Sequence, residues 1–230
     1  MRNRLIGPIL LLGAITVAGM AAFAWEADFD PSNYNPVPNE VVTFAVCEPC
    51  LDGAEFTYGW DFDGDGVFDE ETSDAVVSHA FSEPGFYPVK LTLTAAGGRQ
   101  ESRLKGVLVG DVPAYGLREL VRQTDGTLYV LITIHVASPA NAIGFEESIP
   151  QGWQYEEVDS GGAITHANRE KGVWEIVWAS SFEAGAELTY SYRLYPTYAS
   201  RAVPLDGELI GYAEGRFAGA ICGELMVPAP

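Results

Sequence analysis

The chain has 230 residues, 47% apolar and 20% charged, and a formal net charge of -19. Its 11 tyrosines, 11 phenylalanines and 5 tryptophans supply a core and exclude a disordered tail. Without the two arginines of the first 24 residues the balance is -21. Such a surface repels phosphate and anionic headgroups, which excludes nucleic acid as a partner.

Met1-Arg-Asn-Arg4 opens the chain with positive charge, and Leu5 to Phe23 carries none. Ala22-Phe23-Ala24 places small residues where a signal peptidase reads. The same apolar run is long enough to cross a bilayer as a helix, with the arginines inside. Residues 1–24 are therefore a signal peptide or a membrane anchor. Both readings export residues 25 onward, and membrane contact is expected only through an uncleaved helix.

Residues 25–110 read as a first β-sandwich. Val41 to Val46 is a buried strand. Cys47-Glu-Pro-Cys50 follows, a candidate disulfide loop for an oxidising compartment. Zinc would need two more ligands, and no second such motif exists. Phe56, Tyr58, Trp60 and Phe62 alternate with Thr57, Gly59 and Asp61, so one strand face is aromatic and buried. Val77, His79 and Phe81 alternate in the same way, as do Tyr87, Val89, Leu91 and Leu93. Lys90, Thr92 and Thr94 are expected to face water. Pro88 cannot donate to a ladder and marks an edge or a bulge. Gly97-Gly98 turns the chain into a last strand that ends at residues 107–109.

Between two of these strands, Asp61, Asp63, Asp65 and Asp69 follow the spacing of a calcium-binding loop. Thr72 stands where that loop has its bidentate Glu, and no helices flank it. The alternative is a turn built for backbone reasons, since Asp closes its own turn and Gly takes positive φ.

Tyr58-Gly-Trp-Asp-Phe-Asp-Gly-Asp-Gly66, Val77-Ser-His-Ala-Phe81 and Glu83-Pro-Gly-Phe-Tyr-Pro-Val-Lys-Leu-Thr-Leu93 resemble the PKD domain family. That family's pattern runs WDFGDG, V-x-H-x-Y and PGxYxVxLxV. Phe81 stands in place of the usual Tyr, and Asp63 adds a residue to the turn. The resemblance implies an Ig-like β-sandwich of extracellular proteins, an accessory or spacer module without catalysis.

Residues 111–230 read as a second Ig-like sandwich, so the fold class is all-β, two consecutive sandwiches after an N-terminal hydrophobic helix. Leu117 to Arg122 is a strand, and Gln123-Thr-Asp-Gly126 is a hairpin signal. Leu128, Val130, Ile132, Ile134 and Val136 alternate, as do Trp174, Ile176 and Trp178, and then Leu188, Tyr190, Tyr192 and Leu194. Leu209 to Phe217 is expected as one final strand. Ala142-Ile-Gly-Phe-Glu-Glu-Ser-Ile-Pro-Gln-Gly-Trp153, with the two later strands, is similar to Ig-like repeats of microbial cell-surface proteins.

No constellation for catalysis emerges. His79, His135 and His166 have no partners at metal-ligand spacing, and no G-x-S-x-G elbow exists. Glu146-Glu147 and Glu156-Glu157 are adjacent pairs of the kind a chain with 32 acids contains by chance. Cys222 reads as a buried apolar residue. Trp153, Tyr155, Tyr195 and Tyr198 fall near strand ends or loops, where rings either stack on a glycan or close over the core. The expectation is a non-enzymatic, secreted or cell-surface protein for adhesion, assembly or binding to an extracellular protein or glycan, with calcium as the one candidate cofactor. The alternatives are a carbohydrate-binding accessory protein and a membrane-anchored subunit of an envelope complex.

Overall fold

The computed structural model describes residues 26–47, 55–168, 170–198 and 201–229. The expected N-terminal helix and Cys50 lie outside them. Every regular element among the described residues is a strand, and no helix there is long and apolar enough to cross a membrane. The fold is an all-β sandwich.

The first seven strands are β1 (Phe29–Pro31), β2 (Val41–Val46), β3 (Phe56–Asp61), β4 (Glu70–Thr72), β5 (Val76–Ala80), β6 (Gly85–Ala95) and β7 (Gln100–Val109). β1, β2 and β5 form one sheet, and β4, β3, β6 and β7 pair in that order in the other. Their inward faces meet in a core of Phe29, Phe44, Trp60, Phe62, Leu91 and neighbours. Phe29 meets the fully buried Trp60 edge-on, with centroids 5.1 Å apart, the geometry ring quadrupoles favour. Pro88 lies on the part of β6 that pairs only with β7, beyond the Asp61–Lys90 pair that ends the β3 ladder. Its missing N–H therefore leaves the β3 ladder intact.

One expectation for this sheet is corrected. Thr92 does not face water: it is buried, with its hydroxyl 3.0 Å from that of Ser102. The outer face of β6 and β7 is partly covered by the C-terminal segment, whose Ala202, Met226 and Pro228 border the same cleft as Lys90 and Ser102.

The remaining strands are β8 (Ala114–Arg122), β9 (Leu128–Val136), β10 (Ala140–Ser148), β11 (Trp153–Asp159), β12 (Ile164–Asn168), β13 (Val173–Phe182), β14 (Glu187–Pro196), β15 (Val203–Pro204), β16 (Gly207–Tyr212), β17 (Arg216–Glu224) and β18 (Met226–Val227). Nine of them follow the order β11-β14-β9-β8-β17-β16-β10-β13-β12, and β15 pairs with β18 in a separate two-stranded sheet. β17 belongs to both layers of the second core. Its first half pairs with β16, while Ile221 to Gly223 run parallel to β8. The alternating Leu128, Val130, Ile132, Ile134 and Val136 of β9 all point inward and are buried, as a period of two requires.

The expected final strand over Leu209 to Phe217 is two strands. Ala213-Glu-Gly215 turns the chain, with the Ala213 amide donating to the Gly215 carbonyl at 2.9 Å. Gly211 then pairs with Phe217, whose ring fills the space that a side chain at 211 would need.

The two cores divide between Val109 and Ala114. They are not separate beads, because Gly223 and Glu224 of β17 pair with Gly106 and Lys105 of β7. One continuous sheet therefore runs through both.

Candidate functional site

The acidic turn between β3 and β4 brings Asp61, Asp63 and Asp65 together, with carboxylate oxygens within 4.8 Å of one another. Asp61 is buried, and its two oxygens accept from the amides of Gly64 at 2.7 Å and Gly66 at 2.9 Å. Asp63 and Asp65 are exposed and close smaller turns on the amides of Asp65 and Val67. Asp69 does not join the group: its carboxylate accepts from the Phe62 amide at 2.7 Å. Thr72 pairs with Tyr58 in a strand. The backbone alone accounts for Asp61 and Asp69.

Charged groups inside the second core are committed to one another. Arg118 and Glu147 are both buried. Arg118 donates through Nε to Oε1 at 2.9 Å and through Nη2 to Oε2 at 2.5 Å. Its Nη1 donates to the carbonyls of Leu205 and Glu224 at 3.3 and 2.8 Å. Tyr192 donates to Glu147 Oε1 at 2.5 Å. Burial, reinforced by the Glu147 charge, pushes the Tyr192 phenol far above its ordinary range. This is a bidentate pair with satisfied surroundings, a structural arrangement rather than a reactive one.

A second cluster sits where the two cores join. Lys105 of β7 reaches Asp30 at 2.8 Å, Asp28 at 3.0 Å and Glu224 at 3.4 Å, and Arg103 reaches Glu224 at 2.8 Å. Burial opposes charging Lys105, but the carboxylates of Glu224, Asp28 and Asp30 outweigh it and hold its pKa above the usual value. Burial raises the pKa of Glu224, and the two cations only partly offset this. The pairs tie the N-terminal segment and the end of β17 to β7.

The aromatics singled out from the sequence do not form an exposed row. Trp153 is in the core, and Tyr155 stacks between Trp174 and Tyr192 at 4.7 and 4.5 Å. Tyr195 is partly buried and its hydroxyl donates to Glu156. Tyr198 is exposed. His79 stacks on Phe62 at 4.1 Å inside the first core's rim, His135 on Tyr115 at 4.9 Å, and His166 lies on edge strand β12. Cys222 is a free, buried thiol.

The outward face of β12, β13, β10 and β16 brings several exposed apolar side chains onto adjacent strands. Ile164, Val177 and Tyr212 are 68%, 40% and 53% exposed there. Gly144, Val177, Ile210 and Tyr212, with Glu146, Glu175 and Glu208, line a shallow trough of about 240 Å³. Sequence reasoning passed over these residues. Their signal was the adjacent apolar pairs Ile176-Val177 and Leu209-Ile210, where a half-buried strand would alternate.

Residues 34–107 match the sequence model of the PKD domain. This stretch is a PKD domain. It spans β2 to most of β7, including Lys105 and Gly106 of the junction, while the second core and β17 lie outside the match. Within the PKD domain, Trp60 and Phe62 supply the core and Asp61 closes the turn. No curated protein matches the chain.

Among solved structures, carbohydrate-binding modules from the β-sandwich superfamily are 17% identical, with a TM-score of 0.34 over 87% of this chain and 96% of that one. A collagen adhesin from S. aureus is 7% identical, with a TM-score of 0.31 over 89% and 95%. The major pilin SpaD from Corynebacterium diphtheriae is 8% identical, with a TM-score of 0.38 over 72% and 60%. Scores this low place the chain with none of the three in particular.

Proposed function

We propose that this chain is an exported, non-catalytic protein of the cell surface that works by adhesion or assembly through the outward face of β12, β13, β10 and β16. The observation that carries this reading is the exposed apolar row on that face. Ile164, Val177 and Tyr212 share one sheet face of an acidic protein, and a contiguous exposed apolar row is the kind of surface that takes a partner. The PKD domain adds support, since its family supplies accessory modules to extracellular proteins. The buried charges add more, because Arg118, Glu147, Lys105 and Glu224 are held in ion pairs inside the fold.

Fractionation of the native protein with intact-mass measurement tests the reading. A chain beginning near residue 25 in the medium or at the surface is expected. The membrane-anchored alternative predicts a chain beginning at Met1 in the membrane fraction. Soluble full-length chain in the cytosol would overturn both. The same measurement after alkylation, with and without reductant, reads the proposed Cys47–Cys50 bridge. Calcium in the turn of Asp61, Asp63 and Asp65 belongs to the same proposal, and calorimetric titration to about millimolar calcium, the range of extracellular sites, tests it. The carbohydrate-binding alternative rests on Tyr198 and Tyr212 as exposed rings, and a glycan array decides it.

A further inference from the structure

The outward face of the second core is ordered in three rows that run across the strands. Ile164, Val177, Gly144, Ile210 and Ala218 are register partners in succession and form the central row. Two residues along each strand, on one side, His166 and the three acids Glu175, Glu146 and Glu208 are partners in a row that is mostly acidic. Two residues along β16 on the other side, Tyr212 pairs with Arg216. A β-bulge at Asn141/Ile143 holds Ala142 at a φ of 54°, so the third row is small on β10. Bulges of this kind re-aim side chains beside functional surfaces.

Charges on this face are incompletely matched within one chain. Lys171 reaches Glu146 at 3.2 Å and Glu175 at 3.7 Å. Glu208 and Arg216 have no ion pair among the described residues, and both are exposed.

From this order we infer that the face binds a second copy of the same chain, related by a two-fold axis along the central row; the inference rests on the reading of this face as the contact surface. Rotation about that axis lays the apolar row of one copy on that of the other. It also turns the acidic row of each copy onto the Tyr212–Arg216 side of its partner. Arg216 and the Tyr212 hydroxyl then face Glu208 of the other copy, twice by symmetry. The arrangement is isologous and self-complementary. A two-fold axis along the strands would instead place acids on acids. The two sheets would stack about 10 Å apart, as aligned sheets do.

Size sets the strength. Five strands at about 4.8 Å spacing and three rows about 7 Å apart cover roughly 20 by 20 Å, or on the order of 400 Å² per copy. The total falls below the roughly 1,200 Å² of a standard stable interface. The dimer is therefore weak in dilute solution and populated where copies are concentrated on a surface. Flanking glutamates limit wrong partners more than they add affinity.

Sedimentation velocity on the chain as the cell exports it, between about 10 µM and 1 mM, tests the inference. Wild type is expected to shift from monomer to dimer across that range. Val177→Glu weakens association at least tenfold, as does Glu208→Arg or Arg216→Glu alone. The double variant Glu208→Arg with Arg216→Glu recovers most of the loss, which a merely destabilised surface would not do. All three positions are exposed, so unchanged melting temperatures show that the variants fold.

A chain that stays monomeric to 1 mM overturns the inference. So does a dimer that Val177→Glu leaves intact, or a charge-swapped pair that fails to recover. A monomer that engages a glycan through Tyr212 and Glu208 overturns the choice of occupant. A dimer found in a chain retained in the cytosol would sink the surface function while leaving the dimer standing.

Discussion

Glu147 carries a charge in the middle of the second core, and replacing it with glutamine measures what holds it there. Arg118 keeps its position in Glu147→Gln but loses its counter-charge. One donor of the new amide must also face either the guanidinium or the Tyr192 hydroxyl. Breaking a buried pair by removing one partner costs about 3–5 kcal/mol, because the remaining charge is stranded without water. That is a large part of the 5–15 kcal/mol that holds a typical domain folded. With a urea dependence of about 2 kcal/mol per molar, the midpoint should fall by roughly 1.5–2.5 M.

Tyrosine 192 contributes one hydrogen bond to a charged acceptor, so Tyr192→Phe should cost less, about 1.5–3 kcal/mol. Combining Arg118→Met with Glu147→Leu should lose less than the sum of the singles by about 2 kcal/mol, the coupling expected of direct partners. Equilibrium urea unfolding followed by tryptophan fluorescence reads all five variants, the singles Arg118→Met and Glu147→Leu included, since Trp153, Trp174 and Trp178 belong to or pack against this core. A loss below about 1 kcal/mol for Glu147→Gln, or strict additivity in the double variant, would refute the reasoning.

Three further outcomes follow from the geometry. Burial beside Phe62 lowers the pKa of His79, and nearby Asp69, Glu70 and Asp63 only partly offset it. As pH falls through 6.5, the unfolded chain takes up that proton first, so stability drops; His79→Gln should show a smaller fall in melting temperature toward pH 5, and equal falls would contradict this. Burial pushes the Cys222 thiol up to about 12, so it should resist a thiol-disulfide reagent until the chain unfolds; rapid labelling of native protein would show the β17 region to be open. In calcium-free buffer, Asp61→Ala strands the Gly64 and Gly66 amides and should cost about 1–3 kcal/mol, while Asp63→Asn stays within about 0.5. Comparable losses at the two positions, read by thermal melting, would mean that the turn is held in some other way.

Local order was legible in the residues because it depends on near neighbours. The alternation of β9 and the aromatic face of β3 both follow from a period of two. Trp153 and Tyr155 alternate with Gln154 and Glu156 on β11, so their inward packing could also be read. What was hidden depends on contacts far apart in the chain. Arg118 sits in a run, Arg-Glu-Leu-Val-Arg, that looks solvated, and only Glu147 and the carbonyl of Glu224 make its burial sensible. The crossing of β17 between layers needs Gly223, whose φ of 76° and close approach to the Arg118 carbonyl exclude a side chain. Nothing in a stretch of Ala, Gly and Ile announces that role. The proposed contact face was missed for the same reason, since its rows exist only after five strands take their register. The Asp61 turn was found, but its split into three clustered carboxylates and a separate Asp69 depends on the Phe62 amide.

Labelling intact native cells with a membrane-impermeant amine reagent tests the central claim most directly. Lys171 is 57% exposed beside the proposed contact face, on a loop that follows edge strand β12. An exported surface protein predicts that the peptide carrying Lys171 is labelled on intact cells as fully as after lysis. Labelling only after lysis would place the folded chain inside the cell and contradict the account.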